Sequence, residues 1–292
     1  MGNESNSVGA ARSPQAGKPP LLTVANLGVH YKTRFGLQVH AVKGVSFTLD
    51  EGKVFGIAGE SGCGKSTLVN GVMALFIPPL FYTQGSVVVD GEDITKYDRE
   101  KLRVDVLGKK ISMIPQGALN SLNPTCKVKR FALDVMKNHE PDLTKAEIYD
   151  RLEERFEAIG LDPRVLNMYP LELSGGMKQR VVIGISTLMN PSVVIADEPT
   201  SALDVSTQKS VIRMLLELME RKIFGSMIFI THELPLLYHV ADTIAVMYDG
   251  KFVEVGECDQ VINRPAHEYS KQLMNAITKL STTGQRHADG VR

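Results

Sequence analysis

Two glycine-rich segments far apart in the chain have the composition of phosphate-binding loops. Residues 59–67 read GESGCGKST, the Gly-x-x-x-x-Gly-Lys-Ser spacing of a P-loop, and residues 173–177 read LSGGM. Glycines let backbone N–H groups approach phosphate oxygens closely, and the following helix adds its positive dipole end. Lys65 would neutralise the β- and γ-phosphates, and Ser66 would offer a hydroxyl to Mg²⁺. The second segment also begins a predicted helix, which suggests a second phosphate-reading surface.

Polar side chains follow three short apolar runs that read as buried strands. Asp197 and Glu198 end one run, His232 follows another, and Gln116 follows a third after Pro115. The carboxyl ends of parallel strands meet at one crevice, where a P-loop also lies. Asp197 would hold Mg²⁺, and Glu198 would position or deprotonate the attacking water. His232 would hydrogen-bond the γ-phosphate, and Gln116 would ligate Mg²⁺ and sense that phosphate.

The bulk composition is that of an ordinary globular protein. The chain has 292 residues, a length that suits one large domain or two small ones. Of these residues, 43% are hydrophobic and 23% are charged. Lys plus Arg and Asp plus Glu both number 33, and this neutrality argues against nucleic-acid binding. Cys63, Cys126 and Cys258 lack the spacing of a disulfide framework or metal site, so we expect reduced thiols. No apolar run is long enough to span a bilayer, and the first residues do not read as a signal peptide.

Strand and helix patterns alternate in a way that predicts an α/β fold. Apolar runs at 53–58, 110–114, 192–196 and 226–231 predict a mostly parallel sheet covered by helices on both faces. Runs at 21–29, 41–49 and 86–90 have no helices between them and predict a smaller antiparallel layer. The stretch 119–190 is helical in pattern, with a capping box at Thr144 and Glu147. Further predicted elements are helices at 65–76, 174–189, 205–221 and 267–280 and a strand pair at 243–248 and 252–255.

Taken together, these motifs closely resemble the ATP-binding cassette family over about residues 21–256. The resemblance implies that two cassettes dimerise head to tail, with ATP between the Walker A motif of one subunit and the signature of the other. It implies a RecA-like P-loop core, an antiparallel β subdomain and an inserted α-helical subdomain. The family motifs, in family order, are Walker A at 59–67, the Q-loop at Gln116, the signature at 173–177, Walker B at 193–198, the D-loop Ser201-Ala-Leu-Asp204 and the switch histidine His232.

The resemblance assigns roles to named residues. An aromatic residue before the P-loop stacks on adenine in this family; Tyr31 is the leading candidate and Phe35 the alternative, while Tyr31 as an ordinary strand aromatic stays open. The catalytic residues are then Glu198, His232 and Gln116, and the Mg²⁺ ligands are Ser66, Gln116 and Asp197. The nucleotide-binding residues are Tyr31, Gly59, Ser61, Gly62, Cys63, Gly64, Lys65, Ser66, Thr67, Ser174, Gly175 and Gly176.

Two segments narrow the resemblance to ATPases of oligopeptide, dipeptide and nickel uptake systems: residues 116–124 and residues 263–276. The second could instead be a plain amphipathic helix. The Gly-Met-Lys-Gln-Arg signature resembles the first of two unlike ATPases, which implies a heterodimer. Permease subunits and, indirectly, an extracellular solute-binding protein would be its partners, at the cytoplasmic face of the membrane. Many members end in a cysteine-rich cluster segment, which we do not expect here.

The expected domain division and the competing functions follow from the same motifs. Soluble cassette ATPases of DNA repair or translation remain an alternative, as does an exporter ATPase; a P-loop kinase or GTPase lacks the signature. Residues 117–124, with Leu119 and Leu122, are expected to receive a permease helix. The division is 1–20 disordered lead-in, 21–118 β subdomain and first core part, 119–190 helical subdomain, 191–256 second core part, 257–280 helical extension and 281–292 disordered tail.

Overall fold

The computed structural model describes residues 18–117, 121–201 and 203–274. The strands within these ranges are β1 Leu22–Lys32, β2 Gln38–Leu49, β3 Val54–Ala58, β4 Leu80–Val89, β5 Glu92–Asp93, β6 Ile111–Ile114, β7 Val193–Asp197, β8 Ser226–Ile230, β9 Thr243–Tyr248 and β10 Lys251–Glu257. The helices are α1 Lys65–Val72, α2 Arg99–Lys101, α3 Val128–His139, α4 Lys145–Ala158, α5 Gly175–Ser186, α6 Val205–Glu220, α7 Leu234–Val240 and α8 Cys258–Asn263.

A six-stranded sheet forms the centre of the molecule, in the order β10-β9-β3-β8-β7-β6. The strands from β9 to β6 are parallel, and β10 pairs antiparallel with β9. Every residue of β3, β7 and β8 is buried, as expected for strands covered on both faces. The prediction of a mostly parallel sheet is therefore confirmed.

Alternate residues of the central strands enter two different hydrophobic cores. Val194 and Ala196 of β7 pack with the helices α3 to α7, whereas Val193 and Ile195 pack with α1 and the second sheet. That second sheet is antiparallel, in the order β2-β1-β4-β5. The sandwich of helices, central sheet and antiparallel layer fixes where each central strand ends.

The helical region inserted between β6 and β7 is built from α3, α4, α5 and two 3₁₀ turns at Pro163–Asn167 and Pro170–Glu172. The predicted capping box is present: Thr144 Oγ1 accepts from the Glu147 backbone N–H, and the Glu147 carboxylate accepts from that of Thr144. The buried face of α4 packs into the core shared with the central sheet. The start of α5 is thereby held on the body of the molecule.

Two element boundaries and the position of one side chain differ from the predictions. β4 begins at Leu80 rather than Ser86, since its first residues pair with the far end of β1, Leu80 opposite Tyr31. The helix predicted over 65–76 ends at Val72, followed by Ala74 with a positive φ of 53°. Leu122, expected at an exposed docking surface, is 5% exposed and packs in the core.

Some predictions fall outside the described residues. These are Leu119, Ala202 of the D-loop, the lead-in up to residue 17, and everything from residue 275, including the predicted tail 281–292. The final predicted helix is helical over 268–274, the part that the structure describes. Within the described ranges, no helix is both long and apolar enough to cross a membrane. The domain boundaries stay predictions.

Candidate functional site

The phosphate-binding loop connects buried β3 to α1, and tight packing explains two of its glycines, Gly59 and Gly64. Gly64 adopts a φ of 111°, in the left-handed region that favours glycine, and a Cβ there would lie 2.5 Å from the Ala41 carbonyl oxygen. A Cβ on Gly59 would lie 2.4 Å from the Met247 carbonyl oxygen. The loop is thus wedged against β2 and β9, which fixes its backbone N–H groups before any ligand binds.

Lys65 is 8% exposed, and the loop's own main chain holds its side chain in place. Its Nζ donates to the carbonyl oxygens of Gly59 at 2.7 Å and Glu60 at 2.8 Å. A lysine ammonium has three N–H donors, and here the third faces Cys63 Sγ at 3.8 Å, a weak acceptor. A phosphate oxygen entering the loop would find a positive charge already oriented.

Asp197 is a buried carboxylate at the end of β7, next to the start of α1. Burial, followed by repulsion from Glu198, raises the pKa of Asp197; the Ser66 hydroxyl and Lys65 oppose that rise. Ser66 Oγ lies 3.5 Å from Asp197 Oδ2. A buried carboxylate beside a hydroxyl is an oxygen donor set that suits Mg²⁺, and a cation there would relieve the cost of the buried charge.

Glu198 joins three strand ends through its side chain. Its Oε2 accepts from Gln116 Nε2 at 3.0 Å, and its Oε1 accepts from His232 Nδ1 at 2.9 Å. Gln116 follows β6, Glu198 follows β7 and His232 follows β8. Glu198 also has a φ of 46°, rare for a non-glycine residue, and its backbone N–H donates to the Ile230 carbonyl oxygen. The carboxylate is therefore held in one orientation.

These groups line one cavity of about 860 Å³. Tyr31 belongs to its wall, and its hydroxyl lies 3.1 Å from Thr67 Oγ1, whereas Phe35 is fully exposed and is not among the described lining residues. Among the predicted site residues, the structure brings together Tyr31, Gly59, Ser61, Gly62, Cys63, Gly64, Lys65, Ser66, Thr67, Gln116, Asp197, Glu198 and His232.

The signature residues are not part of this assembly. Ser174 is the N-cap of α5, where its Oγ accepts from the Met177 N–H at 3.3 Å, and Ser174 and Gly175 are exposed. Gly176 lies close to α6, since a Cβ there would be 3.0 Å from Thr207 Cγ2. Ser174, Gly175 and Gly176 are not among the described residues that line the cavity. The start of α5 is therefore exposed and lies apart from the P-loop cavity.

Two residues of the C-terminal extension contact the P-loop or line its cavity, and sequence reasoning did not assign them. Tyr269 Oη accepts from the Glu60 backbone N–H at 3.3 Å, and Leu273 lines the cavity. The stretch 263–276 stood out only through its family resemblance. No local spacing links Tyr269 to a loop more than 200 residues earlier, so the residue pattern carried no signal for this contact.

Comparison with known proteins fits this geometry. A family model described as ABC transporter matches residues 42–201. The oligopeptide transport ATP-binding protein OppD of Bacillus subtilis (strain 168) is 38% identical over 274 residues, 93% of this chain and 75% of that protein. OppF of Salmonella typhimurium, also named an oligopeptide transport ATP-binding protein, is 37% identical over 265 residues, 88% of this chain and 77% of that protein.

A solved structure shows the same architecture. The dimeric post-hydrolysis state of the ATP-binding cassette MJ0796 bound to ADP and Pi has a TM-score of 0.69 at 26% identity. The aligned region covers 81% of this chain and 98% of the MJ0796 chain. The predicted family resemblance, α/β cassette fold and ATPase class are confirmed. The chain belongs to the ABC transporter family and carries the ATP-hydrolysing cassette of that family.

Proposed function

We propose that this ATPase powers the uptake of peptides or a related solute through membrane permease subunits. The names of relatives such as OppD and OppF support the peptide class, since those proteins are named for oligopeptide transport. The observation that carries the catalytic part is the contact of one carboxylate, Glu198, with both Gln116 and His232 at the rim of the P-loop cavity. That geometry suits a group that orients a water for attack on a γ-phosphate.

The residues divide into binding and reacting groups. Lys65 and the loop N–H groups would hold the β- and γ-phosphates, and Tyr31 would stack on adenine. Glu198 would orient the attacking water, with His232 fixing the carboxylate and contacting the γ-phosphate. Gln116 would leave Glu198 to meet the nucleotide when ATP binds.

The donor set around Asp197 fits Mg²⁺. Ser66, Gln116 and Asp197 would hold the ion, and the ion would supply charge neutralisation on the phosphate oxygens. The Ser66 hydroxyl and the Lys65 ammonium favour the ionised form of Asp197, and Glu198 opposes it. Its burial keeps bulk water from screening the ion's charge.

Assembly would complete the site. Ser174, Gly175 and Gly176 would contact the ATP held by a second cassette, because the start of α5 is exposed and lies outside the chain's own cavity. The second cassette would be an unlike ATPase, giving a heterodimer beneath the permease at the cytoplasmic face of the membrane. An extracellular solute-binding protein would select the cargo, and no nucleic acid is involved.

Substitution of Glu198 tests the catalytic role. Glu198→Gln should leave ATP affinity intact while ATP turnover in the assembled transporter falls by about 10²–10⁴-fold, since the amide is a poor base. Lys65→Ala is the contrasting control and should weaken ATP binding itself, because the phosphate charge loses its cation. Phosphate release and nucleotide binding are measured on the same preparations. Near-normal turnover by Glu198→Gln would remove Glu198 from this role, unless the partner's site performs all hydrolysis; a complex carrying both substituted cassettes decides that case.

A further inference from the structure

The C-terminal extension is anchored to the central sheet by a buried carboxylate. Glu254 of β10 is 9% exposed, and its two carboxylate oxygens accept from the backbone N–H groups of Ala266 at 2.7 Å and His267 at 3.0 Å. These N–H groups stand just before the helical residues 268–274, so the carboxylate satisfies donors at a helix start. These hydrogen bonds fix the direction in which the extension continues after β10 and α8.

An aromatic pair sets the position of the extension above the P-loop. The rings of Tyr248, at the end of β9, and Tyr269 lie 4.4 Å apart between centroids at an angle of 42°. Tyr269 and Leu273 are partly buried and pack against the hydrophobic core that holds the helices. Leu273 also lines the nucleotide cavity. The extension is thus a wall of that cavity.

One peptide group connects the extension to Lys65. The peptide between Gly59 and Glu60 donates its N–H to Tyr269 Oη at 3.3 Å, and its carbonyl oxygen accepts from Lys65 Nζ at 2.7 Å. N–H and carbonyl point to opposite sides of a trans peptide, so the tyrosine and the ammonium hold the two ends of one rigid plane. Rotation of that plane would break both hydrogen bonds and leave Lys65 Nζ held only by the Glu60 carbonyl oxygen and the weak contact with Cys63 Sγ.

We propose that Tyr269 is a positioning residue for ATP: its hydroxyl holds the Gly59–Glu60 peptide and thereby the ammonium of Lys65 in the phosphate-accepting orientation. This inference rests on the role proposed above for Lys65. Removing the hydroxyl frees the N–H of Glu60 and allows the first turn of the P-loop to sample other orientations. ATP binding then has to restore the ordered form, which weakens affinity. Turnover of bound ATP changes little, because Tyr269 contacts neither Glu198 nor the attacking water site among the described contacts.

The test compares two substitutions that each remove one hydroxyl from the same ring pair. In the full chain, Tyr269→Phe should raise the ATP dissociation constant about threefold to tenfold, the usual worth of one hydrogen bond. In the assembled transporter it should raise KM for ATP by a similar factor with kcat largely kept. Tyr248→Phe keeps both rings and should leave KM, kcat and the melting temperature unchanged.

Each outcome decides the proposal. An unchanged dissociation constant for Tyr269→Phe overturns it, and so does a fall in kcat together with a lowered melting temperature, which would indicate general damage to the fold. Lys65→Ala, measured alongside, tests the underlying site separately. If Lys65→Ala binds ATP normally, the proposed role of Lys65 is wrong. If Lys65→Ala weakens ATP binding and Tyr269→Phe leaves it unchanged, the proposed ATP site is retained and only the positioning role of Tyr269 is wrong.

Discussion

The surroundings of Asp197 disfavour the ionised form of its carboxyl group. Its folded-state pKa is raised, chiefly by burial and then by Glu198, above the ordinary value of 3.8. Between those two pKa values the folded protein binds more protons than the unfolded chain, so stability rises as pH falls through this window. Above both pKa values the carboxyl is ionised, and the full cost of its buried charge is present.

Asp197→Asn should therefore stabilise the nucleotide-free protein at pH 7. The amide removes the buried charge, so the melting temperature in EDTA should exceed that of the wild type. The difference should shrink as pH is lowered towards 4, because the wild-type carboxyl becomes protonated as well. Thermal melts of both proteins across this pH range measure it. A less stable Asn variant at pH 7, or a difference that widens with acid, would contradict the assigned pKa shift.

Residue types and local spacing predict the parts of the site that one segment builds. Gly59 to Thr67 carry their chemistry within nine positions, and Glu198 and His232 could be placed because each follows a buried strand. The Tyr269 contact with Glu60 could not be predicted, because it depends on where the extension returns to the sheet. The same limit applies to Leu122: its apolar side chain suits a docking surface or a core, and only packing decides.

At the scale of single elements, the start of α5 is the segment that its own subunit leaves open. Ser174 caps the helix through its Oγ, and the exposed Ser-Gly pair leaves room for an anion at the positive end of the helix dipole. Bulk and positive charge from an arginine there would fill that space. The cost to the helix itself is the loss of one N-cap, about 0.5–2 kcal/mol.

Ser174→Arg should spare ATP binding to the isolated chain and abolish ATP-driven association with the partner ATPase. Mixing the two chains with ATP and following mass by light scattering measures association. Thr144→Ala is a matched control, because it removes the N-cap of α4 in the same helical region and should cost a similar amount of stability without affecting association. Normal ATP hydrolysis by the Ser174→Arg chain in the complete transporter would show that recognition across subunits at this site is absent or redundant.

The elements themselves were predicted better than their ends. The run at 41–49, which lies within β2, and the capping box of α4 follow from local chemistry, and the structure contains both. The first half of β4 was missed because Leu80 to Gln84 become a strand only by pairing with β1, whose own end at Lys32 was missed for the same reason. Strand pairing between distant segments is decided by the assembled sheet, which local pattern does not encode.

At the scale of the whole molecule, the expected docking surface for a permease has to be reassigned. Leu122 is buried, so an aspartate there would disrupt the core of the helical region rather than test docking. Leu171, in the 3₁₀ turn before the signature, is 77% exposed. This turn lies beside the segment that begins at residue 121, because the Val128 N–H donates to the Met168 carbonyl oxygen and Lys127 lies over the Tyr169 ring. An exposed leucine there suits an apolar contact with a permease helix.

Leu171→Asp should therefore loosen attachment to the permease and uncouple transport from ATP hydrolysis, while the isolated chain still binds ATP. The charge would be buried without a partner in the docked complex, and its desolvation opposes docking. Ile77→Asp is the matched control: it places the same charge at a different exposed apolar position, on the connection from α1 to β4. Co-purification with tagged permease subunits and solute uptake into proteoliposomes measure the two variants. If Leu171→Asp is retained by the permease as firmly as Ile77→Asp and transports at the same rate, the permease contacts a different surface.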